Sequence, residues 1–510
     1  MNFARDLIAA RSSEDLALVE LGRDDTRREW SLGEIEKGSA RLAGALLRHG
    51  VRRGDVVMTL IGNRSEWVLT MMACFRIGAV VLPCTEQLRA KDLRLRLEVA
   101  APGLIVADER NRGQLEAAEP SPPVLYVPDE SLFVEEAPFV EAPFVEEAFV
   151  EEAPFAELEE GEPALITFTS GTAGEPKAVV HGQRYLYGQR VQAEHWLGAE
   201  EGDLVWCTAA SGWSKSARNA WIAPWLRGAT ALLHDARFDP EERLDLIEKE
   251  QVHILCMAPT EYRVIAKRAR LRALPSLRGM VAAGEALNPE VLRVWKDATG
   301  LDIRDGYGQT ETGQMTGMEI GIDVRAGSMG RALPGVRLSV RDGELVADPS
   351  SVGTFFLGYL GEGVVRCEAP DGDGRGGWRI EDRREGGAWR TGDQVSEDGD
   401  GYLRFEGRAD DVIVSAGYRI GPFEVESALV AHPGVAEAAA VSAPDEERGA
   451  VVKAIVVLRE GYAASPELVE ELQEHVKRET APYKYPRIME FTDELPKTAS
   501  GKIKRAQLRE

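Results

Sequence analysis

Short apolar segments alternate along this chain with longer stretches whose apolar residues recur at helical spacing, and this alternation constrains the fold more than any other feature. Buried strands are predicted at 55–61, 79–83, 104–107, 164–168, 253–257, 279–283 and 301–304. Helices are predicted at 65–77, with Asn63 as a possible cap, and from the Asn288-Pro289 pair to about Gly300. Because strands that alternate with helices bury a sheet between helical layers, the pattern predicts a large, multi-layer α/β domain.

A second pattern begins near residues 407–411. Just before it, residues 398–401 read DGDG, which is typical of a hairpin turn. After it, helices are predicted at 422–431 and 466–480, and strands at 437–441 and 452–457. A segment of about a hundred residues is the size of a small α+β domain. We therefore expect an N-terminal domain at 1–407 and a C-terminal domain at 408–510.

Composition narrows the possible partners. The 510-residue chain has a formal net charge of −24, and since an acidic surface repels phosphate, neither nucleic acid nor anionic lipid is an expected partner. The five cysteines lack metal-ligand spacing, which indicates free thiols in a reducing compartment. Every apolar run is too short for a membrane span and the first residues do not resemble a signal peptide, so we expect a cytoplasmic protein. The composition is also compatible with an oligomeric protein.

Residues 133–157 form an acidic, low-complexity insertion in which Phe-Val-Glu-Glu-Ala-Pro recurs imperfectly. Residues 133–160 contain ten glutamates and neither lysine nor arginine. Repeated proline and like charge oppose packing, so we predict a solvated loop between two strands. A tether that binds partners is the alternative interpretation.

A glycine-rich loop follows the predicted strand at 164–168. Residues 169–177 read TSGTAGEPK. Glycines allow backbone N–H groups to surround a phosphate, while hydroxyls and a lysine add donors and positive charge. The spacing differs from that of a Walker A motif, which needs G-x-x-x-x-G-K followed by serine or threonine. Taken alone, the loop is equally compatible with a plain turn after a strand.

Four further motifs follow in the chain. Residues 305–312 read DGYGQTET directly after a predicted strand, where open α/β sheets bind ligands. An aromatic ring can stack on a nucleobase and a carboxylate beside phosphates can hold Mg²⁺. Residues 389–393 read WRTGD, residues 407–411 read GRADD, and residues 495–505 read LPKTASGKIKR.

Together these five motifs resemble those of the adenylate-forming superfamily, which includes acyl-CoA synthetases, adenylation domains and luciferases. Within it the chain is most similar to the medium-chain acyl-CoA synthetases, as residues 211–216, 256–262, 417–422 and 481–486 also indicate. The resemblance covers nearly the whole chain except the repeat. Ala173 stands where the family has threonine or serine, which puts one hydroxyl contact to phosphate in doubt.

The resemblance implies an ATP site with Mg²⁺. The implied ATP-binding residues are Thr169, Ser170, Gly171, Thr172, Gly174, Lys177, Gly284, Glu285, Asp305, Gly306, Tyr307, Gln309, Asp393 and Arg408. Tyr307 would lie against adenine and Asp393 would accept hydrogen bonds from the ribose. Thr310, Glu311 and Lys502 would be catalytic: Thr310 at the α-phosphate, Glu311 as the ligand of the metal, and Lys502 as the lysine that drives adenylation.

The resemblance further implies that the small C-terminal domain is mobile and rotates about a hinge at Asp410 before coenzyme A attacks the acyl-AMP. Residues near the coenzyme A site would be Gly417, Tyr418, Arg419, Arg448 and Lys453. Acetylation of Lys502 would remove its charge and switch the enzyme off.

Three residues are predicted at the acyl pocket: Trp213, Gly308 and His181. Gly308 would lie at the pocket floor, where its missing side chain leaves room for several methylenes; a glycine needed only by a backbone turn is the alternative. His181 is expected in the pocket wall or the core rather than in catalysis.

The sequence therefore predicts an acyl-CoA synthetase that activates a carboxylic acid, a medium-chain fatty acid by resemblance, and releases AMP and pyrophosphate. Alternatives within the superfamily are a ligase that loads a carrier protein and a ligase for aryl or branched acids. Alternatives outside it are a non-catalytic acidic scaffold and a P-loop phosphotransferase, although the intact motifs and the loop spacing argue against these two.

Overall fold

The structure is a computed structural model of the chain. It describes residues 1–127, 153–169, 176–284, 287, 289–360, 380–381, 387–409, 411–415, 418–445, 448–498 and 502–509. Most of the acidic insertion predicted at 133–157 lies outside these ranges. The described residues form a mixed α/β fold with a large N-terminal domain and a smaller C-terminal domain, as the alternation of segments predicts.

Two large sheets dominate the N-terminal domain. The first has nine strands, in spatial order Arg331–Ala332, Gly313–Gly317, Ile303–Gln309, Gly279–Ala283, Ile254–Met257, Leu204–Cys207, Thr230–His234, Leu16–Leu21 and Arg27–Ser31. The second has eight, in the order Ile380–Glu381, Gly358–Leu360, Ala178–Gly182, Pro163–Phe168, Val80–Cys84, Val56–Leu60, Leu104–Asp108 and Val124–Val127. The first is parallel at the centre and antiparallel at both ends, whereas the second is antiparallel only at the end that contains Ala178–Gly182 and parallel elsewhere.

Alternation of side chains along the strands places helices on both faces of each sheet. In the strand Leu204–Cys207, Val205 joins the main core, whereas Leu204 and Trp206 join a second core on the opposite face. The main core includes residues of both sheets and the helix Ser65–Ile77, all of whose residues are buried. This helix therefore lies between the two sheets, and a layer of helices covers each outer face.

Both helices predicted in the N-terminal domain are present, at Ser65–Ile77 and Pro289–Thr299. The α-helices of the N-terminal domain are Phe3–Ala9, Leu32–Arg48, Ser65–Ile77, Ala90–Ala100, Arg112–Glu116, Arg184–Gln192, Ala223–Trp225, Pro240–Lys249, Pro259–Arg268 and Pro289–Thr299. Asn63 is not the cap of Ser65–Ile77, because Arg64 occupies that position. The Asn63 side chain instead donates to Ala209 O at 3.2 Å and accepts from Ser211 N at 2.8 Å, which fixes the chain beside the site described below.

The C-terminal domain has its own core. A three-stranded sheet of Val435–Asp445, Gly449–Leu458 and Ile488–Phe491 packs against the helices Pro422–Ala431 and Pro466–Glu479. The domains are linked through a four-stranded sheet of Leu338–Arg341, Glu344–Ala347, Trp389–Glu397 and Leu403–Arg408, in which the last two strands form the predicted hairpin. A two-stranded ribbon, Ile413–Ser415 with Tyr418–Ile420, follows it.

Two local expectations can be compared with the structure. The strand predicted at 301–304 starts at Ile303 and continues to Gln309, so most of the DGYGQTET motif lies in the strand rather than in a loop after it. Hydrogen bonding to the antiparallel strand Gly313–Gly317 holds this extension. The four cysteines among the described residues are buried free thiols, as expected, and Cys367 lies outside those residues.

Candidate active site

A cleft of about 2360 Å³ lies between the two domains and gathers most of the predicted site residues. The predicted residues that line it are Thr169, Lys177, Trp213, Gly284, Asp305, Gly306, Tyr307, Gly308, Gln309, Thr310, Glu311, Asp393, Arg408 and Lys502. They come from motifs more than 330 residues apart in the sequence. Ser170, Gly171, Thr172, Gly174, Glu285, Asp410 and Gly417 lie outside the described residues.

A hydrogen-bond network around Asp393 organises one side of the cleft. The Asp393 carboxylate accepts from the Tyr307 hydroxyl, from Gln309 Nε2 at 2.8 Å and from Arg408 Nη1 at 3.1 Å. Trp389 Nε1 donates to Gln309 Oε1 at 3.0 Å and so orients the glutamine. Because Tyr307 and Gln309 belong to the strand Ile303–Gln309 and Arg408 belongs to the strand Leu403–Arg408, the carboxylate links the first strand to the hairpin before the C-terminal domain.

Burial sets the protonation of this network. It raises the pKa of Asp393, which is 4% exposed, while Arg408, Tyr307 and Gln309 oppose the rise by favouring the carboxylate. Burial and the Asp393 charge raise the pKa of Tyr307 well above its usual range, so its hydroxyl keeps its proton and donates. Burial likewise raises the pKa of Asp305 to about 8, although its Oδ1 accepts from Gly306 N at 2.8 Å.

Glu311 is held at the turn after the strand. Its Oε1 accepts from the Tyr359 hydroxyl at 2.7 Å, and its backbone oxygen accepts from Phe356 N at 2.8 Å. Tyr359 was not predicted from the sequence, since no motif includes it; its strand, Gly358–Leu360, belongs to the other large sheet and meets the turn through these two hydrogen bonds. Among the described residues the other carboxylate oxygen of Glu311 has no hydrogen-bond partner, so it can bind a ligand in the cleft.

The two ends of the glycine-rich segment are tied together. Thr169 N donates to Lys177 O at 2.9 Å, and Lys177 N donates to Thr169 Oγ1 at 2.9 Å. Lys177 Nζ lies 5.3 Å from the centre of the Tyr359 ring, a cation–π distance. Lys177 and Glu311 therefore meet the same tyrosine, which sets a positive and a negative group side by side.

Lys502 enters the cleft from the C-terminal domain. Thr498 N donates to Lys502 O at 2.8 Å and Lys502 N donates to Thr498 Oγ1 at 3.1 Å, so a closed turn fixes the backbone that carries the lysine. A bridge between Lys497 and Ile503 continues this pairing. The turn holds Lys502 in the wall of the cleft that also contains Thr310 and Asp393.

The predicted acyl residues differ in their surroundings. Trp213 lines the cleft. Gly308 also lines it, but a Cβ there would lie 1.8 Å from Gly313 O, so the close approach of two strands requires the glycine. His181 does not line the cleft: it is fully buried and packs on Tyr185, with ring centres 4.0 Å apart. Of the two expected places, the core and the pocket wall, His181 therefore takes the core, and burial lowers its pKa to about 3.

The residues predicted to contact coenzyme A are not gathered at this cleft. Tyr418 is 54% exposed and stacks on Tyr483, with ring centres 4.3 Å apart. Lys453 Nζ pairs with Glu490 at 3.0 Å, and Arg448 lies 3.9 Å from Asp445. Neither cation lines the cleft. The Arg419 side chain is outside the described part of the structure.

Other residues line the cleft that were not predicted from the sequence. Lys215, Arg218 and Gln314 line it next to Trp213 and Gly308. The turn–helix segment at 211–222 supplies the first two, and the strand paired with Ile303–Gln309 supplies Gln314. No spacing rule distinguishes such residues from ordinary core or surface positions, because their proximity depends on the packing of the two strands.

Comparison with known proteins identifies the family. The model described as AMP-binding enzyme matches residues 6–360, and the model described as AMP-binding enzyme C-terminal domain matches residues 424–502. The chain is 37% identical over 505 residues to the uncharacterized acyl-CoA ligase YtcI of Bacillus subtilis (strain 168), over 98% of this chain and 93% of that protein. It is 38% identical over 506 residues to mitochondrial acyl-coenzyme A synthetase ACSM4 of Homo sapiens, over 94% of this chain and 84% of that protein.

A solved structure agrees with these matches. The crystal structure of the Brucella canis acyl-CoA synthetase has a TM-score of 0.71 and 34% identity to this chain, over 100% of this chain and 94% of that one. The chain therefore belongs to the AMP-binding enzyme family. It is an AMP-forming acyl-CoA synthetase, an acid–thiol ligase that uses ATP and coenzyme A. Within the described ranges, every helix is too short or too polar to traverse a bilayer.

Proposed function

We propose that the network around Asp393 is the nucleoside part of the ATP site. In this proposal Tyr307 stacks on the adenine and the Asp393 carboxylate accepts hydrogen bonds from the ribose hydroxyls. The observation that carries it is the convergence of Tyr307, Gln309 and Arg408 on one buried carboxylate at the cleft. Buried acceptors with several donors hold their geometry, which suits recognition of a fixed ligand such as a nucleoside.

The phosphates would lie between Thr169, Lys177, Thr310 and Glu311. Glu311 would hold Mg²⁺, which when bound neutralises phosphate charge. Its second oxygen fits that role, since Mg²⁺ is usually held by one or two carboxylates with substrate phosphates and water. The described residues contain no group of three or more acidic, histidine or cysteine ligands, so the phosphates would supply part of the coordination.

Lys502 and Lys177 would supply positive charge for the first half-reaction. Attack of a carboxylate on the α-phosphorus brings two anions together, and fixed cations stabilise the negative charge that builds up in the transition state. Lys502 suits this role because a closed turn presents it at the cleft. No base is needed, since the attacking carboxylate carries no proton at neutral pH.

We further propose a domain boundary at residues 407 and 408, with a hinge at Asp410. Lys502 lies at the cleft, whereas Tyr418, Arg448 and Lys453 do not. A rotation of the C-terminal domain between the two half-reactions would exchange these sets, with the Gly417 segment then near the thiol of coenzyme A. Such exchange is a common use of a hinged domain.

The acid is proposed to be of medium length. Trp213, Gly308 and Gln314 would surround its chain next to the α-phosphate, and Gly308 contributes no side chain to the cleft. Support from Gly308 is weaker than the sequence suggests, because the glycine is also required by the approach of Gly313.

The test is acid-dependent release of pyrophosphate with acids of two to twelve carbons, followed by product analysis with coenzyme A. We expect AMP, pyrophosphate and an acyl-CoA thioester, with greatest kcat/KM at six to eight carbons. Thioester formed only on a carrier protein would identify the alternative ligase. A maximum at acetate or at aromatic acids would contradict the medium-chain proposal, and ADP as the product would contradict the whole assignment.

A further inference from the structure

Arg218 is a buried cation at the acyl side of the cleft. It is 5% exposed, it lines the cleft, and it begins the short helical turn Arg218–Ile222. The guanidinium hydrogen-bonds to the side chain of Tyr185, but across the described part of the chain neither its Nε nor its Nη1 has a hydrogen-bond partner, and no carboxylate pairs with it. Nη1 lies 3.5 Å from the position a Cβ would take on Gly313, so the guanidinium is beside the strand next to Gly308.

An unpaired buried charge is costly. Taking a guanidinium out of water without an acceptor loses its hydration and gains no ion pair in return. Nearby Lys215 adds to the positive charge, because its Nζ hydrogen-bonds only to Ala283 O, at 3.3 Å, among the described residues. A chain with a net charge of −24 thus places at this cleft two cations that have no carboxylate partner among the described residues.

The surroundings of Arg218 are polar as well. Gln314 donates to Thr316 O at 2.9 Å, but its Oε1, which is buried, has no donor in the described structure. The neighbouring Asn219 accepts from Gln192 at 2.9 Å and leaves its own Nδ2 unused. A pocket built only for an alkyl chain would be lined by apolar groups instead.

The backbone here is irregular in a way that often accompanies function. Ala223 N donates to Arg218 O, five residues back, so Arg218–Ile222 is a π-helical turn. Such turns are less stable than α-helix and occur frequently at functional sites. This turn rotates Arg218 towards the cleft while Trp221 and Ile222 stay in the main core.

We propose that Arg218 is a specificity-determining residue that binds a second carboxylate of the substrate, so that the preferred acids are dicarboxylic acids. This rests on the proposed function, since one carboxylate must react at the α-phosphate while the other reaches Arg218. A guanidinium–carboxylate pair restores the interactions that burial removes. A monocarboxylic acid of the same length leaves the guanidinium facing methylenes, and sites with unpaired polar groups discriminate strongly against such analogues.

The experiment measures kcat/KM in pyrophosphate release for butanoate, hexanoate and octanoate and for butanedioate, hexanedioate and octanedioate. We expect the wild type to prefer the best dicarboxylate over the monocarboxylate of equal length by at least about tenfold. Arg218→Met, which keeps length without charge, should lose about a hundredfold on the dicarboxylate and retain or gain activity on the monocarboxylate. Arg218→Lys should keep part of the preference.

Thermal unfolding provides a readout that does not depend on turnover. Without substrate, Arg218→Met should unfold at the same or a higher temperature than the wild type, because an uncompensated charge is removed. Hexanedioate or octanedioate should raise the Tm of the wild type but not that of Arg218→Met. A variant that unfolds at lower temperature and loses activity equally on both acid classes would overturn the proposal and identify a structural arginine.

The outcomes separate this proposal from the one on which it rests. A wild type that prefers monocarboxylates by tenfold or more, with thioester formation intact, contradicts the role of Arg218 and leaves the acyl-CoA synthetase assignment standing. If an enzyme that binds ATP releases no pyrophosphate with any of these acids, the medium-chain proposal is contradicted. In that case a Tm increase caused by dicarboxylates would still support the role of Arg218. If dicarboxylates caused no Tm increase either, the role of Arg218 would be overturned.

Discussion

The proposed nucleotide side and the proposed acyl side of the cleft differ in how far the protein satisfies its own polar groups. On the nucleotide side, Asp393 receives hydrogen bonds from three side chains. On the acyl side, Arg218 and Gln314 each leave buried polar atoms without a partner among the described residues. The first region is fixed before any ligand binds, whereas the second would be completed by the substrate.

This difference follows from what each side must recognise. ATP is the same molecule for every enzyme of this kind, so a preorganised network around one carboxylate lowers the cost of binding it. The acid differs between enzymes, and discrimination comes from groups that only the correct acid satisfies. Substitutions should therefore act on all acids equally on the nucleotide side and selectively on the acyl side.

The largest expected effect is at Lys502. Lys502→Ala should slow acyl-AMP formation about a hundredfold, because loss of one charge at the transition state costs about 3 kcal/mol. The loss should be the same for every acid, since the lysine acts on the phosphate. Pre-steady-state acyl-AMP formation measures it.

Thioester formation from supplied acyl-AMP should survive in Lys502→Ala, because the second half-reaction does not use this charge. Lys504→Ala is the matched control, since Lys504 belongs to the same segment and does not line the cleft. A first half-reaction that continues at the wild-type rate would refute the assignment of Lys502.

A smaller and equally general effect is expected at Asp393. Asp393→Asn should raise the KM for ATP about thirtyfold, because hydrogen bonds to a charged group contribute about 1.5–3 kcal/mol. The ranking of acids should not change. Asp398→Asn, on the turn of the same hairpin and paired with Arg325, is the control. An altered acid preference in Asp393→Asn would contradict the separation between the two sides, because the nucleotide side would then also affect the choice of acid.

Gly308 lies where the two sides meet. Gly308→Ala should lower the free energy of unfolding by about 2 kcal/mol, since its Cβ would overlap Gly313 O and force the paired strands apart. Denaturant unfolding measures the change. Gly113→Ala, in the helix Arg112–Glu116 with open space around the glycine, should be neutral or stabilising. A stable Gly308→Ala with a shortened acid preference would instead restore the pocket-floor interpretation.

How much the sequence predicts also differs between the two sides. Tyr307, Glu311, Asp393 and Lys502 lie in short motifs, so the order of the motifs is sufficient to predict that they meet at one cleft. Tyr359 has no motif, and it meets Glu311 only because the two large sheets pack together. Positions on the acyl side depend on strand register and side-chain packing, which local patterns do not encode.

The same limit explains why the sequence gives a wrong role for Asn63 and leaves two places open for His181. Asn63 has the residue type of a helix cap, yet its side chain is used by the loop at Ala209 and Ser211, a contact that is remote in sequence. His181 is next to the glycine-rich loop in sequence, but strand alternation turns its ring into the core beside Tyr185. In both cases tertiary contacts decide the role of a residue whose local sequence suggests another.

The buried position of His181 can be tested without any substrate. Burial lowers its pKa from 6.5 to about 3, so below pH 6.5 the unfolded chain takes up a proton that the folded chain does not. The free energy of unfolding must therefore fall as the pH drops from 6.5 towards 3, and between pH 8 and 5.5 this group alone should contribute a loss of about 1.4 kcal/mol. Above pH 7 the contribution is nearly constant.

His181→Asn should remove this part of the acid sensitivity, measured by urea unfolding at pH 8, 6.5 and 5.5. His49→Asn is the control, since solvent reaches that exposed ring in the folded protein too. If His181→Asn and the wild type lose the same stability over this range, the ring is charged or solvated in the folded protein and is not part of a dry core beside Tyr185.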